Sequence, residues 1–419
     1  MTKSHPEVNL NALRGVQAAP ARSRLICANA VCLSLALLAA LATAAPSRAH
    51  ATEASYRVLY SFTGGADGGT PRAGLLRDSA GNLYGTTLDG GAHRHGPYGS
   101  GTVFRIAPDR TETVLHSFGN GRDGAYPAAG LIADSSGNLY GTTSGVGPDG
   151  IFVTAGNVFR LTPANKDKLL YAFQAGSDGA FPNSSLVRDS AGNIYGTTAA
   201  GANGDQGGSI FKLTRFSKEF LLHEFAGGFD GAFPLGGLIE DSKGNLYGTT
   251  TGGGGLGLGV AFKLAKDGTM ITLHAFAGGS DGATPDGGLV VDKFGNLYGT
   301  TQGGGAADAG TVFKITPNGV ESVLCAFAGG SAGAYPMAGL VIDAQGNLYG
   351  TTYAGGAGGV GTVFRLEPDG AELVLHSFVG GKDGAEPMAA LVADTKGYLY
   401  GTTSQGGAEG RGTVFKVRE

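Results

Sequence analysis

Histidines and recurring aspartates are the residues of this chain whose types suit acid–base or metal chemistry. His116, His223, His274 and His376 occupy equivalent places in the sequence, where Tyr60, Tyr171 and Cys325 stand in other copies. A place that accepts His, Tyr or Cys reads as a packing or hydrogen-bonding position on an outer strand, not as a metal ligand. His93 and His95, in a stretch with Arg94 and Tyr98, offer two nitrogen ligands, one short of the three that a catalytic zinc site takes from the protein. Asp78, Asp134, Asp189, Asp241, Asp292, Asp343 and Asp394 form one recurring set, and Arg105, Arg160, Lys212, Lys263, Lys314, Arg365 and Lys416 another. One active site has no use for seven copies, so these sets read as turn-capping Asp and intra-blade ion pairs. Asp67, Asp123, Asp178, Asp230, Asp281 and Asp383 sit in Asp-Gly turns, with Ala332 in the sixth copy, and they lack the dense Asp-x-Asp-x-Asp run of calcium loops. No Gly-x-Ser-x-Gly elbow, His-Glu-x-x-His, Cys-x-x-Cys or phosphate-binding loop is present. No catalytic residue, metal or cofactor is therefore assigned.

The elements that must position these residues are written in a repeat. Gly-Thr-Thr begins at residues 85, 141, 196, 248, 299, 350 and 401, a period of 51 to 56. Such periods signal solenoids, propellers or arrays. In the second copy, short apolar segments bounded by Gly, Pro, Asn or Asp predict strands over Thr113–Phe118, Gly130–Ala133, Asn138–Thr143 and Asn157–Leu161. Asp78-Ser79-Ala80-Gly81-Asn82 and its counterparts supply tight turns, with Asp at the start and Gly where φ is positive. The expected fold is all-β: a seven-bladed β-propeller of four-stranded antiparallel blades. The chain ends support closure, because the first segment after the leader matches the strand that the last repeat lacks. Arg57–Phe62 is expected to complete the blade built from about Ala389–Val417. Phe and Tyr recurring at three positions, exemplified by Phe104, Phe118 and Tyr84, read as core, and small pairs such as Ala73-Gly74 and Gly287-Gly288 fit crowded strands at the axis.

Function, if local, belongs where the sevenfold pattern breaks. After the repeated Pro, Arg72, Asn183 and Asp286 replace the Ala128, Leu235, Met337 and Met388 of other copies, and they are expected to ring the channel mouth. The Gly-rich stretches vary most: the first holds His93, Arg94, His95 and Tyr98, and the second holds Asp149 and Phe152. These eight polar or aromatic residues, Phe152 aside, are the candidate ligand contacts.

The N-terminal 51 residues read as a signal peptide and leader. Lys3, Arg14, Arg22 and Arg24 precede an apolar run from Leu25 to Ala45, and Ala49-His50-Ala51 offers a cleavage site. The other reading is an uncleaved anchor, although the run is rich in Ala and holds Asn29. Residues 52–419 form the propeller. Cys27 and Cys32 lie in the leader, leaving Cys325 alone and no internal disulfide. Composition agrees with a turn-dense folded chain, with Gly at 78 of 419 residues and only 15% charged. A net charge of −4 gives no footprint for nucleic acid.

The repeat Asp-x-x-Gly-Asn-Leu-Tyr-Gly-Thr-Thr, followed by Gly-Thr-Val-Phe and then Val-Leu-His-Ser-Phe, resembles the GloVer tandem-repeat family of exported bacterial proteins over residues 56–419. More distantly it is similar to NHL and gluconolactonase-type propellers. The resemblance implies an exported repeat protein, often with a C-terminal sorting segment; this sequence stops at Glu419, directly after a strand, so a soluble periplasmic or extracellular monomer is expected. The expected function is a non-enzymatic binding or scaffold module for a protein, peptide or glycan. Two alternatives stand beside it: a lactonase-like hydrolase or lyase with a metal near Asp286 and Asn183, and a structural envelope component.

Overall fold

The computed structural model describes residues 55–93, 98–145, 154–201 and 207–418, so the expected leader at 1–51 lies outside the described residues. These residues form seven four-stranded antiparallel sheets, the blades of a propeller. In the first blade the strands run outward as Leu76–Arg77, Leu83–Thr87, Thr102–Ile106 and Glu112–Ser117. The seventh blade takes its inner three from Val392–Ala393, Tyr398–Thr403 and Thr413–Arg418, and its outermost from Arg57–Ser61. Val58 pairs with Phe415 and Ser61 with Thr413, so the chain's two ends share one sheet, as expected. Among the described residues no helix is long and apolar enough to cross a membrane.

The expected innermost strand over Gly130–Ala133 shrinks to Ile132–Ala133. Its first residues face the neighbouring blade instead of a ladder partner. A Cβ on Gly287 would come within 2.5 Å of the Ala338 backbone, which is why small pairs recur at the axis. Farther out, the core lies between blades. Phe62 meets Phe104 edge-on at 5.0 Å, and Phe118–Phe159, Phe225–Phe262 and Phe378–Phe415 repeat the contact at 5.0, 5.2 and 5.2 Å. The Gly of Gly-Thr-Thr is needed for this packing: a Cβ on Gly85 would stand 2.5 Å from the Phe104 ring.

Side-chain hydrogen bonds lock each unit. Asp78 accepts from the Asn82 backbone amide at 2.8 Å, the Asn82 side chain at 2.7 Å and the Tyr84 hydroxyl at 3.1 Å, which accounts for the Asp-x-x-Gly-Asn-Leu-Tyr pattern. Burial pushes that carboxyl up, but the bonds from Asn82 and Tyr84 outweigh it and hold Asp78 below its usual range. The expected ion pair between this Asp set and the basic set is a point of correction. Lys212, Lys263 and Lys314 sit over the rings of Tyr195, Tyr247 and Tyr298 at 5.3, 5.7 and 5.8 Å, because strand register places base opposite tyrosine.

The outer-strand His and Tyr reach the Asp of the following Asp-Gly turn. His116 stands 3.0 Å from Asp123 and His223 3.1 Å from Asp230, while the Tyr60 and Tyr171 hydroxyls lie 3.1 and 2.9 Å from Asp67 and Asp178. A β-bulge just before each of these residues, at Val58/Tyr60 and at the same place in the other six blades, turns the side chain toward that loop. The hydrogen-bonding role read from the His/Tyr/Cys exchange is the one found. In the sixth unit donor and acceptor change together, to Cys325 and Ala332.

Candidate functional site

The loop entering each blade and the Gly-rich loop within it lie on one face, joined by isolated bridges such as Gly69 to Asp89 and Ala283 to Gly303. One residue in each entry loop is held left-handed without being Gly: Thr70, Tyr126, Phe181, Phe233, Thr284, Tyr335 and Glu386 have φ between 52° and 62°. Such backbone persists only where its surroundings over-determine it. Here the Thr70 amide donates to Arg411 O of the neighbouring blade at 2.8 Å, and its carbonyl accepts from Leu88 N of its own blade at 3.2 Å. Phe181 and Glu386 make the same pair of bonds. The strained residue is thus a stitch between two blades, and the Pro after it aims the next side chain into the axial opening.

That next position is where Arg72, Asn183 and Asp286 fall. All three line one axial cavity of about 460 Å³ with Ala128, Leu235, Met337 and Met388. The mouth is therefore chemically uneven: Asn183 and Asp286 flank Leu235 on three successive blades, the two methionines follow, and Arg72 comes next. Burial raises the Asp286 carboxyl to about 6, with no cation offsetting it. Asn183 Oδ1 is buried without a hydrogen-bond partner. Both residues line the opening, where a ligand that donates would pair with the Asp286 carboxyl and, after rotation of its amide, with Asn183 Oδ1.

Beside Arg72 lie residues that sequence reasoning missed. Asp89 is 4% exposed, accepts from the Thr70 hydroxyl at 3.0 Å and stands 3.7 Å from the Arg411 guanidinium. Burial pushes its carboxyl up against the pull of Thr70, Arg411 and Arg72, and its second oxygen is buried and unpartnered. Tyr353 is raised by burial and by Glu386, with Arg72 opposing. The available signal was that Asp89 stands where other copies carry Gly, Ala or Gln.

The remaining candidates do not join this group. His93 lines a separate cavity of about 560 Å³ with His116, Asp123 and Asp167, and Tyr98 is 42% exposed. Arg94, His95 and Asp149 lie outside the described residues. The mouth-lining residues supply one carboxylate and no imidazole, fewer than the three protein ligands of a catalytic zinc centre.

Comparison with known proteins adds the lineage. The sequence matches the Gloeobacter/Verrucomicrobia repeat over residues 48–186, 92–294 and 279–419. The chain belongs to this family. No curated protein matches the Gloeobacter/Verrucomicrobia repeat chain. Two similar structures are extracellular domains from B. thetaiotaomicron assigned to the system BT4673, described once as a one-component and once as a hybrid two-component system. They are 14% identical to this repeat propeller, with TM-scores of 0.53 and 0.56, and cover 84% and 87% of it. The chain spans 40% and 42% of their lengths. A protein assigned to the gluconolactonases is 15% identical, with a TM-score of 0.43, covering 88% of this chain and 92% of its own. At 14% identity the likeness to the two extracellular domains concerns the fold alone.

Proposed function

We propose that this Gloeobacter/Verrucomicrobia repeat propeller is an exported, non-enzymatic binding module that takes a peptide or glycan at the channel mouth. The observation that carries this reading is the pairing of a half-buried Asp286 carboxyl, raised by desolvation, and an unpartnered Asn183 Oδ1 with an exposed Arg72 on one opening otherwise lined by small or apolar side chains. A ligand with hydroxyl or amine donors on one side and an acceptor on the other complements that arrangement, and Met337 and Met388 give it flexible apolar contact. The scaffold suits recognition, because the stitched loops hold the mouth in place before a ligand arrives. Export rests on the leader, and the extracellular setting of the BT4673 domains is in keeping with it.

A glycan and peptide array probed with the wild-type chain and with Asp286→Asn and Asn183→Ala tests the site. Ligands retained by wild type and weakened at least tenfold in both variants are expected. Equal retention by all three proteins would remove the mouth as the binding surface.

A further inference from the structure

Away from the mouth, each junction between blades brings three positions together: the outer-strand His or Tyr, the Asp of the next turn, and the first residue of the following blade's outermost strand. At one junction all three are metal-ligating types in reach of each other. His274 Nε2 lies 2.9 and 3.1 Å from the two oxygens of Asp281, and Glu321 brings a carboxylate so that ligand atoms of all three fall within 4.8 Å of one another. The Ala277 amide fixes Asp281 at 2.6 Å. Glu321 Oε1 is buried and has no hydrogen-bond partner, so the third group is held against two others without a donor to satisfy it.

We propose that His274, Asp281 and Glu321 bind a zinc ion that clasps two adjacent blades. One imidazole and two carboxylates make a three-ligand set that leaves a fourth, water-filled position, and imidazole favours zinc over calcium or magnesium. Ligand atoms on one zinc stand ~3.4 Å apart, given bonds of ~2.0–2.2 Å, so a small rotation of the longer Glu321 side chain closes the set. The other junctions serve as internal controls. Tyr60 and Tyr171 replace the imidazole, Met270 occupies the Glu321 position beside His223, and Tyr56 stacks on His376 at 3.6 Å in its place. At the His116–Asp123 junction the shorter Asp167 stands in for Glu, and among the described residues only the Glu321 set closes. Metal binding at this outer junction is independent of the channel mouth, so either reading can fail alone.

Titration of the metal-free full chain with zinc by calorimetry, and with cobalt by visible absorption, tests the clasp. The expected result is one ion in wild type and in His223→Ala, with at least tenfold weaker binding in His274→Ala and in the near-isosteric Glu321→Gln, and a zinc-dependent rise in Tm seen in wild type but not in Glu321→Gln. Cys325→His with Ala332→Asp, which places the same trio beside Glu372, is expected to gain a second ion. The proposal is overturned if wild type binds no zinc, if calcium binds and zinc does not, if His274→Ala and Glu321→Gln bind as wild type does, or if the folded double variant gains nothing.

Discussion

The Thr402 hydroxyl donates to the Ala73 carbonyl at 3.1 Å, linking residues 329 positions apart and tying the last blade to the first. Thr86, Thr249, Thr300 and Thr351 make the same bond to Ala129, Gly287, Ala338 and Ala389 at 2.9 to 3.3 Å. The middle Thr of Gly-Thr-Thr is thus a blade-to-blade fastener in these copies, though not at Thr142, whose hydroxyl has no partner, and at Thr402 it works with the shared seventh sheet to close the ring.

Closure predicts unequal costs for two nearby changes. Thr402→Val leaves one buried carbonyl unpaired and is expected to cost ~1–3 kcal/mol. Phe62→Ala empties a fully buried site against Phe104, at the seam where the chain's first strand docks, and is expected to cost ~3–5 kcal/mol. Urea unfolding of each variant measures both; a Phe62→Ala protein as stable as wild type would contradict docking of the first strand.

Gly350 is predicted to resist even a methyl group. Its Cβ would lie 2.6 Å from the Phe364 ring and 2.9 Å from Leu340, so Gly350→Ala is expected to lose ~1–3 kcal/mol through overpacking. Adding Phe364→Leu should return part of that loss. A double variant that is less stable than the two single losses combined would rule out the clash as the cause.

Asp286 predicts a pH-dependent mouth. Its carboxyl is raised from 3.8 to about 6, so the folded state holds a proton that the unfolded state has given up between those values. Ionisation therefore disfavours the fold: the penalty is absent below about pH 4, grows as pH rises, and is complete above about pH 6. Asp286→Asn should match wild type in Tm at pH 4 and exceed it at pH 8. Identical curves across that range would show that the carboxyl is not desolvated.

Glu112 predicts the same sign at an outer junction. Burial, then the charge of Asp67, pushes it from 4.5 up to about 7. Wild type should lose stability relative to Glu112→Gln as pH rises from 4.5 through 7, with no difference at pH 4. Thermal melts at pH 4 and pH 8 decide it, and a variant less stable than wild type at pH 8 would reverse the assignment.

The blade count, the closure by a strand expected over Arg57–Phe62 and found over Arg57–Ser61, and the recurring core phenylalanines followed from sequence, because each is a property of a repeat and its spacing; the Tyr84 set, also expected in the core, is mostly half-buried. Local turn chemistry was equally legible: Asp78 and Asn82 are four residues apart and find each other within one hairpin. The ion pairs expected between the Asp and basic sets give way to lysine–tyrosine contacts at Lys212, Lys263 and Lys314, since the choice between Asp241 and Tyr247 as the neighbour of Lys263 depends on strand register. Asp89, Arg411 and Glu386 went unnoticed for a related reason. They come from blades one and seven, and only ring closure makes residues so distant in the chain neighbours. Likewise, His93 shares a loop with Tyr98 yet faces His116 and Asp167, while Asn183 and Asp286, 103 positions apart by number, open on one cavity. Repetition encodes the scaffold locally, whereas curvature around the axis decides which of its exceptions meet.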